Sequence, residues 1–284
     1  MDLFRKTLKS NKSFQLGVIL ISILLFLAIF GSWIAPFRAH ELTDSLRVPP
    51  LTASHVLGTD ALGGDLLSNI IHGTRTSLTI GFVAAAISAV IGTFIGAIAG
   101  YFGGRTDQII SEFMNIFIMT PSFFLILIII AFFGSSIENV MIVIGLTGWT
   151  GNARLMRGQA MSLRERTFIK SSEVIGFSQW KVLLKHIIPN AIYPIIANTI
   201  MNISSAILTE AGLSFLGLGD PNVVSWGQLI SHGRTYLPRS WWISTFPGIM
   251  IIITVLALFL VGDGVNKMMT PKTQKQVQMS GVKE

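Results

Sequence analysis

Long apolar runs constrain this chain more than any other feature. Several exceed the roughly 18 residues at which an apolar stretch reads as a bilayer-crossing helix, the form that satisfies its own backbone N–H and C=O groups in lipid. Run lengths place spans at about Phe14–Trp33, Ser77–Gly100, Gln108–Phe133, Asn139–Met156, Pro189–Ala211 and Trp242–Val261. With 51% of the 284 residues hydrophobic and 12% charged, the chain suits one bundle with short connections and no separate soluble domain. The expected architecture is all-α, a polytopic bundle of six transmembrane helices over 14–265. Tails occupy 1–13 and 266–284, an outer loop 37–75 and an inner loop 157–188.

Basic residues orient the bundle, because Lys and Arg are retained on the cytoplasmic side. With both termini inside, that side holds Arg5, Lys6, Lys9, Lys12, Arg105, the seven from Arg154 to Lys185 and four in the C-terminal tail, which is sixteen of 21. The basic start ahead of a long run without a small-x-small site reads as an uncleaved anchor. The net charge of +7 is thus topogenic and lipid-facing. Nucleic acid is not an expected partner, since no basic stripe is interleaved with exposed aromatics. Cysteine is absent, which removes disulfides and thiolate metal sites. No GxxxxGK[ST] loop, HExxH pair or GxSxG elbow is present, and the five histidines are scattered, so catalysis by this chain is not expected and no cofactor or metal is assigned to it.

The inner loop carries more order than a solvated connector needs. Ser162 with Glu165 fits a capping box, which predicts a helix from there to about Ile175. Gly176 suits a left-handed closing residue, Ser178 a second cap, and Pro189 the first turn of the next helix. Leu163, Thr167 and Ser171 share one stripe, flanked by Phe168, Ser172 and Ile175. The expectation is a two-helix docking device for a cytosolic partner, using Ser162, Glu165, Phe168, Lys170, Ser171, Ser172, Gly176 and Pro189.

Two spans carry their own messages. Ala84, Ser88, Gly92, Gly96 and Gly100 recur every fourth residue, a small-residue ridge for close helix packing inside this chain or against a second subunit. The fifth span holds Asn198, Asn202, Ser205, Thr209 and Glu210, with Pro194 interrupting its early part. Polar groups are expensive in lipid, so these five are candidates to line a solute pathway, with interhelical bonding the rival role for Asn198 and Asn202. Glu112 is placed at the interface. Trp226, Trp241 and Trp242 read as an interfacial aromatic belt. In the outer loop, Asp60 and Asp65 are candidate helix caps, and Leu66–Ile71 a short helix against the bundle.

Several segments resemble one family. Lys170-Ser171-Ser172, Gly176 and Ile187-Ile188-Pro189 resemble the glutamate-alanine-alanine loop of membrane subunits of ATP-driven, binding-protein-dependent importers, with Lys170 in place of the acidic residue. Gly58–Asp65 is similar to the Gly-Thr-Asp-x-Leu-Gly-Arg-Asp segment of the dipeptide, oligopeptide and nickel branch, with Gly64 for arginine. Glu210–Gly219, Ser225–Gly227 and Gly262–Gly264 resemble that branch's Glu-Ala-x-Leu-Ser-Phe-Leu-Gly-Leu-Gly, Ser-Trp-Gly and Gly-Asp-Gly segments. Near the third span Glu112 and Asn115 stand where the family has arginine and aspartate. The resemblance implies a permease in a bacterial or archaeal cytoplasmic membrane, taking di- or oligopeptides, nickel or a metal chelate. Its implied partners are a second homologous membrane subunit, two cytosolic ATPases that bind ATP and Mg, an extracytoplasmic binding protein and membrane lipid. A self-contained secondary transporter or channel is the alternative, and an assembly scaffold a third.

Overall fold

The computed structural model describes residues 11–52 and 55–269. The basic residues Arg5, Lys6 and Lys9 and the tail beyond 269 lie outside the described residues. Among the described residues eleven α-helices follow in order: α1 Lys12–Ile34, α2 Leu66–Phe102, α3 Gly104–Met119, α4 Ser122–Phe133, α5 Ile137–Thr147, α6 Trp149–Arg164, α7 Thr167–Val174, α8 Gln179–Val182, α9 Ile188–Phe215, α10 Trp226–Gly233 and α11 Trp242–Met269. Among the described residues there is no strand, only isolated bridges in the loop after α1. Four helical runs among the described residues are long and apolar enough to cross a membrane: α1, α2, Gln179–Phe215 and α11.

The remaining expected spans are broken, each for a backbone reason. α3 and α4 meet at 81°, where Thr120 is extended ahead of Pro121. A proline excludes the α conformation from the residue before it and removes an N–H from the ladder. The Asn139–Met156 run divides at Gly148 into α5 and α6. Conversely, the short helix expected at Leu66–Ile71 is the first turns of α2, capped by Asp65, which accepts from the Ser68 N–H at 2.9 Å. Asp60 caps a turn instead, accepting from the N–H groups of Leu62 and Gly64. Pro194 does not interrupt its helix.

α2 is the central post. The glycine part of its small-residue ridge packs inside this chain, against α6. A Cβ built on Gly92 would lie 2.6 Å from the Trp149 carbonyl oxygen, and those on Gly96 and Gly100 would strike the carbonyl oxygens of Ala153 and Arg157. Only backbone-to-backbone approach is possible along this seam. α9 packs on the same post, α11 on α9 and α1 on α11.

At the N-terminal end of α2 the loops are pinned by tryptophans. Trp226 is fully buried, its indole N–H donating to the Ile70 carbonyl at 3.2 Å, and Trp242 donates to the Thr59 carbonyl at 3.2 Å. The expected aromatic belt is therefore corrected: only Trp241 is exposed, because the other two indoles find carbonyl partners in the loop core.

Candidate functional site

Two regions gather the residues singled out above. The first is an elbow at the C-terminal end of α2, made of α7, α8 and the turn between them. Its start differs from expectation. α6 runs through Ser162 to Arg164, so Ser162 sits inside a helix whose N–H groups are already bonded, and Glu165 occupies the C-terminal cap. The chain extends at Arg166 (φ −72°, ψ 141°), and α7 begins at Thr167 without a side-chain cap. No capping box forms, because Ala153, Met156 and Ala160 carry α6 onward along α2, all three fully buried. Glu165 instead pairs with Lys170 at 2.8 Å, and that ammonium holds its carboxyl below the usual carboxylate range.

The turn matches expectation. Gly176 takes φ +92°, the Phe177 N–H donates to the Ser172 carbonyl at 3.2 Å and the Gly176 N–H to the Glu173 carbonyl at 3.0 Å. These two bonds close the helix in the manner a left-handed glycine allows. Ser178 caps α8 by accepting from the Lys181 N–H. The second helix is not separate, however: α8 passes through a π-helical turn, Leu183–Ile187, into α9. Pro189 has no N–H to give the Lys185 carbonyl, so the ladder widens just before it. Pro189 thus lies in the first turn of α9, away from the elbow tip.

The elbow is rooted and its tip is bare. Ile169 is fully buried among Tyr101, Ala160, Val182 and Leu183, a burial worth about 1.5–3 kcal/mol. Tyr101 donates its hydroxyl to Glu173 at 2.8 Å. Ser172 donates back to the Phe168 carbonyl at 2.8 Å, while Phe168, Ser171 and Lys170 face outward. Val174 is 87% exposed, Ile175 75% and Trp180 57%.

The second region lies between the helices. The five polar residues of α9 separate into three placements. Asn198 donates to Asn152 on α6 at 2.9 Å, an interhelical bond. Asn202, Ser205 and Thr209 line a cavity of about 150 Å³ with Ser88 of α2, Ser122 of α4 and Thr147 of α5. Glu210 lies apart and buried, accepting from Ser214 and Ser225 at 2.7 Å each, so it ties α9 to the loop before α10. Ser122 and Thr147 carry no sequence signal of their own, and Ser88 stands out only as a member of the small-residue ridge. Ser88 faces this cavity because Gly145 seats α5 against Ala84 and Ile87. Glu112 is exposed on α3, and Asn115 beside it accepts from Arg154 at 3.4 Å.

Bent and continuous apolar helices around a polar cavity, with a rooted elbow at one end, define a multi-pass membrane protein of permease type. Residues 92–275 match the family described as binding-protein-dependent transport system inner membrane component, and residues 1–50 match the N-terminal TM domain of oligopeptide transport permease C. The chain belongs to this family of ABC importer permeases. It is 34% identical over 267 residues to the probable D,D-dipeptide transport system permease protein DdpC of Escherichia coli K12, covering 93% of this chain and 89% of that one. It is 35% identical to the di/tripeptide transport system permease protein DppC of Pseudomonas aeruginosa (95% and 91% covered) and 35% identical to the oligopeptide transport system permease protein OppC of Haemophilus influenzae (92% and 85%). A chain of the inward-facing MetNI methionine ABC transporter shares the fold, with a TM-score of 0.58 at 18% identity over 72% of this chain and 97% of that one.

Proposed function

We propose that this chain is one of two related membrane subunits of a peptide importer, and that its elbow receives force from a cytosolic ATPase. The observation that carries the reading is the contrast between root and tip. Ile169 anchors the elbow to α2 and α6, while Phe168, Val174, Ile175 and Trp180 stand exposed around it. A solvated loop gains nothing from an apolar tip on a fixed root, whereas a groove on a partner does. ATP and Mg belong to two partner ATPases, solute arrives from an extracytoplasmic binding protein, and both termini face the cytoplasm of a bacterium. The bundle then crosses the membrane six times, with α3 plus α4 and α5 plus α6 each counting as one broken span. Closure of the ATPase pair rocks the bundle between its two openings, and differential contact at the elbow couples hydrolysis to transport. The names of the relatives support di- or oligopeptides as solute; nickel and metal chelates are the competing cargo.

Single cysteines at Ser171 or Ser172 in this cysteine-free chain test the docking. In the assembled complex they are expected to crosslink to an ATPase subunit, and crosslinks to lipid alone would refute the reading. Reconstitution tests the rest: ATP-driven uptake of peptide but not nickel is expected. Uptake by this chain alone under an ion gradient would establish the secondary-transporter alternative.

A further inference from the structure

Buried hydrogen-bonding groups rarely go unpaired, because burial strips their water. Two groups in the cavity between α2, α4, α5 and α9 are exceptions. Ser88 is 97% buried and its Oγ has no partner, and Asn202 Nδ2 has none either. Both line the same cavity. Its two threonine hydroxyls are spent differently: Thr209 donates to the Ser205 carbonyl at 2.8 Å and Thr147 to the Val143 carbonyl at 2.9 Å, which leaves their oxygens as acceptors. Gly148, at the break between α5 and α6, borders Ser88, and a Cβ there would stand 3.6 Å from Oγ, at ordinary contact distance. Among the described residues no ionisable side chain lines the cavity.

We propose that this cavity is a transit subsite for one main-chain amide of the solute. Asn202 Nδ2 and the Ser88 hydroxyl donate to the carbonyl oxygen, and Thr209 Oγ1 or Thr147 Oγ1 accepts from the amide N–H. The inference rests on the importer reading and narrows its solute class. A peptide terminus or a metal cation would meet no opposite charge here and would be left desolvated. A neutral amide finds both of its complements, whatever side chains flank it. Sites of this kind aid passage by replacing water without holding the solute tightly.

The test uses the assembled importer in proteoliposomes, with saturating binding protein and two probes: trialanine, and its analogue with one amide replaced by an ester. Loss of one neutral hydrogen bond predicts that wild type moves the amide about fivefold faster than the ester. The double variant Thr147→Val/Thr209→Val, which removes both acceptors of the amide N–H, is expected to abolish that preference. In parallel, Ser88→Cys and Asn202→Cys are expected to react with a small water-soluble thiol reagent and to be protected by trialanine. Ser204→Cys, a buried unpartnered site off the cavity, is expected to stay unreactive. Equal uptake of both probes by wild type, an unchanged preference in Thr147→Val/Thr209→Val, or labelling no faster than at Ser204→Cys overturns the subsite and leaves the importer reading standing. Wild type that moves neither probe overturns the importer reading and the subsite with it.

Discussion

Replacing Gly176 by valine isolates one physical variable. A Cβ built at that position meets nothing within 4 Å, so the substitution creates no clash and removes no contact. What it changes is torsional. At φ +92° an L side chain crowds its own backbone, at a cost of about 1–2 kcal/mol, and β-branched residues resist positive φ most. The turn either retains its geometry under that strain or opens and loses the Phe177-to-Ser172 and Gly176-to-Glu173 bonds. In either case the closed turn becomes less populated by roughly 5- to 30-fold relative to open ones. The assembled complex is expected to keep hydrolysing ATP while uptake per ATP falls. Asn, which tolerates the left-handed region, should fall between Gly and Val. The assay is simultaneous ATPase and peptide uptake in proteoliposomes at matched subunit content. Uptake per ATP in Gly176→Val equal to wild type would refute the claim that a closed elbow transmits force.

Gly96→Leu is expected to destabilise by about 1–3 kcal/mol, because its Cβ strikes the Ala153 carbonyl on α6. Gly248→Ala, whose Cβ meets nothing within 4 Å, should leave the detergent unfolding temperature undiminished and raise it slightly, since Ala is favoured over Gly inside a helix by about 0.5–1 kcal/mol. Glu210→Ala strands the hydroxyls of Ser214 and Ser225 and should cost about 1–3 kcal/mol; Glu210→Gln keeps an acceptor and should cost less, read by the same thermal unfolding. Ile169→Ala empties the elbow root and is expected to cost about 2–5 kcal/mol locally, seen as faster amide exchange in α7 while α2 is unaffected.

Run length and local chemistry determined the class of this protein without help from tertiary contacts. An apolar stretch must be helical in lipid whatever surrounds it, and Gly176, Asp65 and Ser178 act on neighbours a few residues away, so each was legible from position alone. Sequence also showed that α9 carries polar side chains that are costly to place in lipid. The capping box at Ser162 failed because α6 had a longer-range reason to continue: three buried side chains against α2 outweigh one local cap. The breaks at Pro121 and Gly148 likewise went unread, since run length ignores a hinge inside an apolar stretch. Which polar groups share a cavity was decided only by the fold. Asn198 and Asn202 are four residues apart on one helix, yet the first is bonded to Asn152 and the second opens beside Ser88. That division depends on how the carbonyls of α6 and the glycines of α2 seat against each other, a contact between residues some 60 positions apart that no local pattern encodes.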